Sequence, residues 1–221
     1  MKSATWVTPV ERDPVQQAVL RRYDALAGSC GSLSCGATLE EGGPMPGEVV
    51  VDLGCGRGAE VRAAAVRVGA PGLAIGVDLS LEMLARAASE APVGRWLRCE
   101  LGELCLADAS VDLVISSCSI NHVPDKAAVY REIYRVLRPG GRFVVADIVA
   151  EEELPEAVRA DPAAWAACYG GAVPEPRYLA AIEGAGFQAP QTVRRSTPYQ
   201  RGGVLLRSIT IRGRRPGAEE R

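Results

Sequence analysis

The 221-residue chain predicts an α/β fold, with a central, mostly parallel sheet covered by helices on both faces. Three observations carry that expectation. Short, almost wholly apolar runs recur at residues 49–53, 73–77, 111–116 and 142–149. Segments with helical spacing alternate with them. The runs show no polar face, as strands buried on both sides by crossover helices require. Right-handed crossovers then bring the strand C-termini, and with them the ligand crevice, to one edge.

The elements follow in order. Asp13 reads as an N-cap and Pro14 as the first position of a helix over 15–26, with Val15, Ala18, Val19, Tyr23 and Leu26 at helical spacing. A Gly- and Ser-rich loop over 28–36 carries Cys30 and Cys35. Residues 49–53 form a strand ended by glycines, 60–68 an Ala-rich helix and 73–77 the next strand. Ser80 caps a helix over 80–91, 96–99 is a candidate strand and 111–116 a firm one. An amphipathic helix over 126–137 is stopped by Pro139-Gly140-Gly141, before a strand at 142–149. Past residue 150 the pattern changes, to helices over 151–159 and 177–185 and closing strands at 192–194 and 205–211. The chain thus divides into an N-terminal helix with a cysteine loop (1–44), a ligand-binding core (45–150), a substrate cap with closing strands (151–213) and a flexible tail (214–221). Arg212, Arg214 and Arg215 read as a frayed, solvated cluster at that end.

Bulk numbers narrow the function. At 48% hydrophobic, 24% charged and net charge −2, the chain is an ordinary folded protein with no general attraction to nucleic acid or an anionic membrane. A small-molecule substrate is the expectation. No apolar run reaches the roughly 20 residues of a spanning helix. The N-terminus lacks the apolar core of a signal peptide, so a cytoplasmic location is expected. Seven cysteines, an odd number, point to packing, metalloid binding or redox chemistry rather than a disulfide framework.

The chemistry concentrates in Val49-Val50-Val51-Asp52-Leu53-Gly54-Cys55-Gly56-Arg57-Gly58. Glycines after a strand let a backbone approach a ligand and supply positive φ. The helix beyond presents unpaired N–H groups. The spacing is G-x-G-x-G, so the dinucleotide pattern is not met. Asp78 ends the next strand, where a carboxylate can accept both hydroxyls of a ribose. With Leu137-Arg138-Pro139-Gly140-Gly141 before a later strand, residues 45–150 resemble the class I methyltransferase family, with its Rossmann-like fold and S-adenosylmethionine cofactor. That resemblance implies that Asp52, Gly54 and Gly56 line the methionine and ribose and that Asp78 binds the ribose diol. Leu79 and Met83 flank the adenine, Gly102 and Glu103 cover its edge, and Ser117 completes the cofactor set. Met83 reads equally as helix core.

Three thiols bear on the methyl acceptor. Cys118 follows a central strand, Cys168 lies in an aromatic and small-residue segment of the cap, and Cys35 precedes the sheet. Separate thiolates can share one soft, thiophilic centre, while a free cysteine can equally be a small buried hydrophobe. Residues 108–126, with Cys118-Ser119-Ile120-Asn121-His122-Val123-Pro124-Asp125-Lys126, and residues 165–172 with Tyr178-Leu179 and Gly184-Ala185-Gly186-Phe187 resemble the arsenite methyltransferase family. The resemblance implies Cys118, Cys168 and Cys35 as ligands of trivalent arsenic, with Cys30 as the alternative third, and a thiol reductant as partner. It also implies that the arsenic lone pair attacks the methyl group in line, so that no general base is needed and His122 is a crevice-wall or surface residue. Cys55, Cys99 and Cys105 fall to packing. The chain departs from that family at Ala59-Glu60, where an Asp and a bulky residue are usual. Two other readings stand beside it: a methyltransferase acting on carbon, nitrogen or oxygen of an organic metabolite, and a non-catalytic module that holds the cofactor or a thiophilic ion.

Overall fold

The computed structural model describes residues 13–29, 37–90 and 93–217. Cys30, Cys35 and most of their loop lie outside the described residues. Helix α1 (Pro14–Leu26) opens on Asp13, whose carboxylate accepts from the Gln16 amide at 2.8 Å. A short helix that the pattern did not announce, α2 (Thr38–Gly42), precedes β1 (Val49–Leu53). Then come α3 (Ala59–Val68), β2 (Leu73–Asp78), α4 (Leu81–Glu90), β3 (Arg95–Arg98) and β4 (Val111–Ser117). The Ser80 hydroxyl caps α4 by accepting from the Met83 amide. A 3-10 turn (Ile120–His122) leads to α5 (Lys126–Val136) and to the long β5 (Leu137–Ala150). The cap consists of α6 (Glu156–Arg159), α7 (Pro162–Ala166), α8 (Glu175–Gly184), β6 (Gln191–Arg195), β7 (Tyr199–Arg201) and β8 (Val204–Arg214).

The strands form one sheet in the order β3-β2-β1-β4-β5-β8-β6, with β7 against β8. Pairing from β3 through β5 is parallel, while β8 runs antiparallel to β5, β6 and β7. Side chains alternate faces along each strand. Val51 and Leu53 of β1 and Val114 of β4 enter the core beneath α5 and α8, where Tyr130, Ile133, Tyr178 and Phe187 also lie. Val50, Leu113 and Ile115 enter the opposite core, beneath α2 and α3. The mostly parallel, doubly covered sheet is therefore the fold that the apolar runs imply.

Two expectations need correcting. Pro139-Gly140-Gly141 does not stand between helix and strand, because pairing with β4 begins at Leu137 and resumes at Arg142. The intervening residues form a bulge, with Gly140 at φ +81. The arginines near the C-terminus are not a frayed cluster either. Arg212 and Arg214 belong to β8, and Arg215 donates to the carbonyls of Tyr134, Arg135 and Leu137 while stacking 4.6 Å over the Tyr134 ring. Carbonyls at the end of α5 need donors, and a guanidinium supplies several from one plane.

Phe143 is fully buried, with ring centroids 5.7 Å from Tyr130 and 4.7 Å from Phe187. Phe143→Ala should destabilise the fold by about 3–5 kcal/mol, read as a lower midpoint in urea denaturation.

Candidate active site

At the end of β1 the chain must turn sharply, because Gly54 and Cys55 both donate to the Val77 carbonyl, at 2.8 and 3.0 Å. Gly54, Gly56 and Gly58 take φ of +72, +50 and +74, values that L side chains rarely adopt. A Cβ on Gly54 would strike the Ser119 side chain, and one on Gly58 would strike the Trp96 indole. Gly56 has only the Met83 sulfur within 4 Å, at 3.9 Å. It therefore leaves backbone open to an incoming ligand. Asp78 fixes the turn from the neighbouring strand, accepting from Gly56 N and Ser80 N, each at 2.9 Å.

Above this turn lies a crevice of about 550 Å³. Asp52, Gly54, Gly56, Asp78, Leu79, Gly102 and Ser117 reach its wall, as does Cys118. Met83 and Glu103 do not. Met83 is fully buried beneath Gly56, and Glu103 is exposed on the outer side of its turn. Burial pushes Asp52 well above the usual carboxylate range, and the charges of Glu60 and Asp78 add to the effect. Burial also raises Asp78, against the amides that bond it. Carboxylates gathered in a desolvated wall favour a cation, since an opposite charge restores their ionised form. The open Gly56 backbone and this acidic wall fit the amino and sulfonium groups of S-adenosylmethionine.

Next to the donor wall the structure brings two of the expected thiol segments together. Cys118 follows β4, its amide donating to Ala146 O at 2.8 Å, and Cys168 lies just after α7. The Sγ of Cys168 is 3.5 Å from the Cys118 carbonyl oxygen. Both residues are left-handed, at φ +55 and +68, an uncommon state for residues with a Cβ and one that concentrates at functional sites. Cys118 is disulfide-bonded, whereas Cys168 and the buried Cys55 are free thiols. Burial raises the Cys168 thiol, opposed by the Tyr23 hydroxyl bonded to it.

The cysteines also bring a correction. Cys99 and Cys105 are paired with each other rather than simply packed, and the turn between them forms part of the crevice edge through Glu100, Leu101 and Gly102.

Sequence reasoning gave no role to Tyr23, Lys126 or Asp147. His122 does line the crevice, but it is also bonded there: Nδ1 lies 2.9 Å from Trp165 O, and Nε2 lies 3.1 Å from Cys168 Sγ and 2.9 Å from the Tyr23 hydroxyl. Burial pushes its pKa down to about 4, so the ring is neutral at pH 7. Below it, Asp147 accepts from Asn121 N, Ile148 N and the Tyr178 hydroxyl, at 3.1, 2.9 and 3.1 Å. Lys126 Nζ donates to Gly171 O at 2.6 Å. The signal for Asp147 was a lone carboxylate inside the run Phe143-Val144-Val145-Ala146-Asp147-Ile148-Val149, which must find partners if buried.

A glycine turn, an acidic strand end and a crevice at the carboxyl edge of a parallel sheet define a nucleoside-dependent transferase architecture, and the comparisons agree. The methyltransferase domain family matches residues 45–201. The chain therefore belongs to that family. Within it, the similarity extends to arsenite methyltransferases. One from Halobacterium salinarum is 36% identical over 85% of this chain and 52% of its own length. The human arsenite methyltransferase is 32% identical over 65% of this chain and 42% of its own length. An arsenic(III) S-adenosylmethionine methyltransferase from Chlamydomonas reinhardtii superposes with a TM-score of 0.73 at 31% identity, covering 86% of this chain and 72% of that one. The chain spans about half the length of the curated relatives it matches. Among the described residues no helix is long and apolar enough to cross a membrane.

Asp78→Asn keeps the shape of the side chain but loses the charge, and should weaken S-adenosylhomocysteine binding by about 1–3 kcal/mol, measured by calorimetry. A second expectation concerns Asp147, whose pKa burial raises from 3.8 to about 6 against the pull of the Lys126 charge. A carboxyl whose folded value exceeds its unfolded one holds its proton more tightly in the folded state. Its contribution to stability is therefore present below pH 3.8 and is lost as pH rises through about 6. The melting temperature of the wild type, relative to Asp147→Asn, should fall across that window in a pH series.

Proposed function

We propose that the chain is an S-adenosylmethionine-dependent methyltransferase whose acceptor is trivalent arsenic held by cysteine thiolates. The observation that carries this reading is the meeting of Cys118 and Cys168 beside the donor crevice, with 3.5 Å between the Cys168 sulfur and the Cys118 carbonyl. The similarity to arsenite methyltransferases supports it. Cys35, or Cys30 in its place, supplies the third sulfur of a pyramidal site that leaves the arsenic lone pair free.

S-adenosylmethionine, when bound, would supply an electrophilic methyl group on its sulfonium, and the As–C bond would form from the arsenic lone pair as the C–S bond breaks and its electron pair leaves with S-adenosylhomocysteine. The residues have simpler tasks. Asp52, Gly54, Gly56, Asp78, Leu79, Gly102 and Ser117 hold the donor, and the thiolates hold the acceptor in line with it. Alignment of this kind can supply up to roughly 7–11 kcal/mol of the barrier reduction. The attacking lone pair carries no proton, so no general base takes part in the transfer. Because Cys118 is disulfide-bonded, a thiol reductant must free it before arsenic can bind. The substrate cap over 151–213 carries Cys168 to the crevice.

Incubation of the reduced protein with S-adenosylmethionine and arsenite should give methylated arsenicals, separable by chromatography with elemental mass detection. Cys118→Ser and Cys168→Ser should each reduce turnover by a factor of about 100 or more, the scale for losing alignment of reacting atoms. Undiminished turnover in both variants would overturn the thiolate mechanism. Methyl transfer to an organic acceptor with none to arsenic would replace the substrate assignment.

A further inference from the structure

The Tyr23 hydroxyl, on the crevice side of α1, meets two side chains of the thiol site at once. It lies 2.9 Å from His122 Nε2 and 3.3 Å from Cys168 Sγ. Direction can be assigned around this triangle. Trp165 O only accepts, so His122 Nδ1, 2.9 Å away, carries the ring hydrogen and Nε2 offers its lone pair. The Cys168 S–H donates to the Cys118 carbonyl at 3.5 Å, and the Tyr23 O–H, 2.9 Å from that lone pair and 3.3 Å from the Cys168 sulfur, is the donor the two acceptors share. The edge of the Tyr23 ring also packs against the imidazole, at 5.2 Å between centroids. The Cys168 sulfur is thereby held between the Cys118 carbonyl on one side and Tyr23 with His122 on the other.

The attachment of α1 gives this contact further weight. Its apolar residues Val15, Ala18, Val19, Tyr23 and Leu26 are only half-buried, and polar contacts add to their packing. Gln16 Nε2 donates to Glu100 at 3.0 Å on the crevice edge, and Asp24 accepts from the Ser80 hydroxyl at 2.6 Å, beside Asp78. One helix thus touches Ser80 just past the end of β2, the crevice edge and the Cys168 sulfur. A sulfur free to rotate about its Cα–Cβ bond has several staggered positions, of which a shared arsenic site can use few.

We propose that Tyr23, backed by His122, is a positioning residue for Cys168, holding its sulfur toward Cys118 in register with the helix that walls the donor crevice. The assignment rests on the arsenic reading for the identity of the substrate, but its test does not depend on turnover.

The test uses the reduced full-length protein and phenylarsine oxide, a trivalent arsenical that bridges two thiols. Tyr23→Phe keeps the ring and removes the hydroxyl. His122→Leu removes the acceptor, while His122→Gln restores one. Tyr23→Phe and His122→Leu should each weaken phenylarsine oxide binding about fivefold, the scale of one hydrogen bond. The KM for arsenite should rise by a similar factor. The Kd for S-adenosylhomocysteine should stay within about twofold, less than the loss of one hydrogen bond, and His122→Gln should recover part of the loss. Unchanged phenylarsine oxide affinity in both variants would overturn the proposal. So would an equal weakening of S-adenosylhomocysteine binding, which would mark a general loosening of α1. If the wild type captures phenylarsine oxide yet methylates no arsenite, the substrate reading fails and the positioning role is decided by the phenylarsine oxide comparison alone. If the wild type captures none, both fall.

Discussion

Asp147 sits almost without solvent contact near the end of β5, where an unpaired carboxylate would be costly. Its oxygens are satisfied by the backbone amides of Asn121 and Ile148 and by the Tyr178 hydroxyl, which also bonds Tyr130 at 3.3 Å. The carboxylate thus ties the 3-10 turn and α8 to its own strand β5, and the bond between Tyr130 and Tyr178 carries the link on to α5. Lys126 extends the system to the cap by holding Gly171 O. Gly171 itself packs so closely on the Asn121 carbonyl that a side chain there would collide. Cys168 lies three residues before this contact, and Cys118 three residues before Asn121. The meeting of the two thiol segments is thus a consequence of how the polar core below them is satisfied.

The donor and acceptor halves are chemically unlike, and one edge of the sheet sets them side by side. Asp52 and Asp78 lie at the ends of adjacent strands, where burial raises the pKa of both and nearby carboxylates add to the effect, Glu60 and Asp78 on Asp52 and Asp24 on Asp78. The thiol side offers neutral donors and acceptors: a neutral imidazole, a tyrosine hydroxyl and backbone carbonyls. Acidic groups and neutral hydrogen-bonding groups thereby line different walls of one crevice. Ser119 marks the seam, since its side chain fills the space over Gly54 and leaves no room for a Cβ there. The absence of a side chain at Gly54 therefore serves packing between the two halves, while the same feature at Gly56 serves access.

Much of this was legible in the residues, for identifiable reasons. β1, β2 and β4 are buried on both faces, so each shows as an uninterrupted apolar run, and Asp13 and Ser80 made visible local caps. What escaped depended on distance in sequence or on very short elements. Helix α7 has five residues and β7 three, too few for a period to register. The Pro139-Gly140-Gly141 bulge uses the same residues as a stop signal would, and only the register with β4 tells them apart. Arg215 looked like part of a basic tail because the carbonyls that receive it lie about 80 residues earlier. The glycine turn, Asp78 and the two thiols were readable because each sits at a strand end or in a distinctive segment. Tyr23 was not, because its partners His122 and Cys168 are 99 and 145 residues away, and helical spacing made it look like an ordinary apolar-face residue.

Among the described residues only Ala109, Cys118, Cys168 and Ala189 combine a Cβ with a positive φ. Two of these four are the cysteines that meet at the crevice, on segments with no sequence relation to each other. A left-handed conformation costs such residues on the order of 1–3 kcal/mol and persists only where surrounding bonds over-determine it. Here they do: Cys118 N is bound to Ala146 O, and Cys168 N to Trp165 O. Glycine would remove the strain at either position, but it would also remove the sulfur. At two converging points the backbone thus keeps a side chain where a residue without one would fit more comfortably. Burial alone would make Cys118 a small hydrophobe like Cys55. The shared left-handed backbone state sets Cys118 and Cys168 apart from Cys55, Cys99 and Cys105.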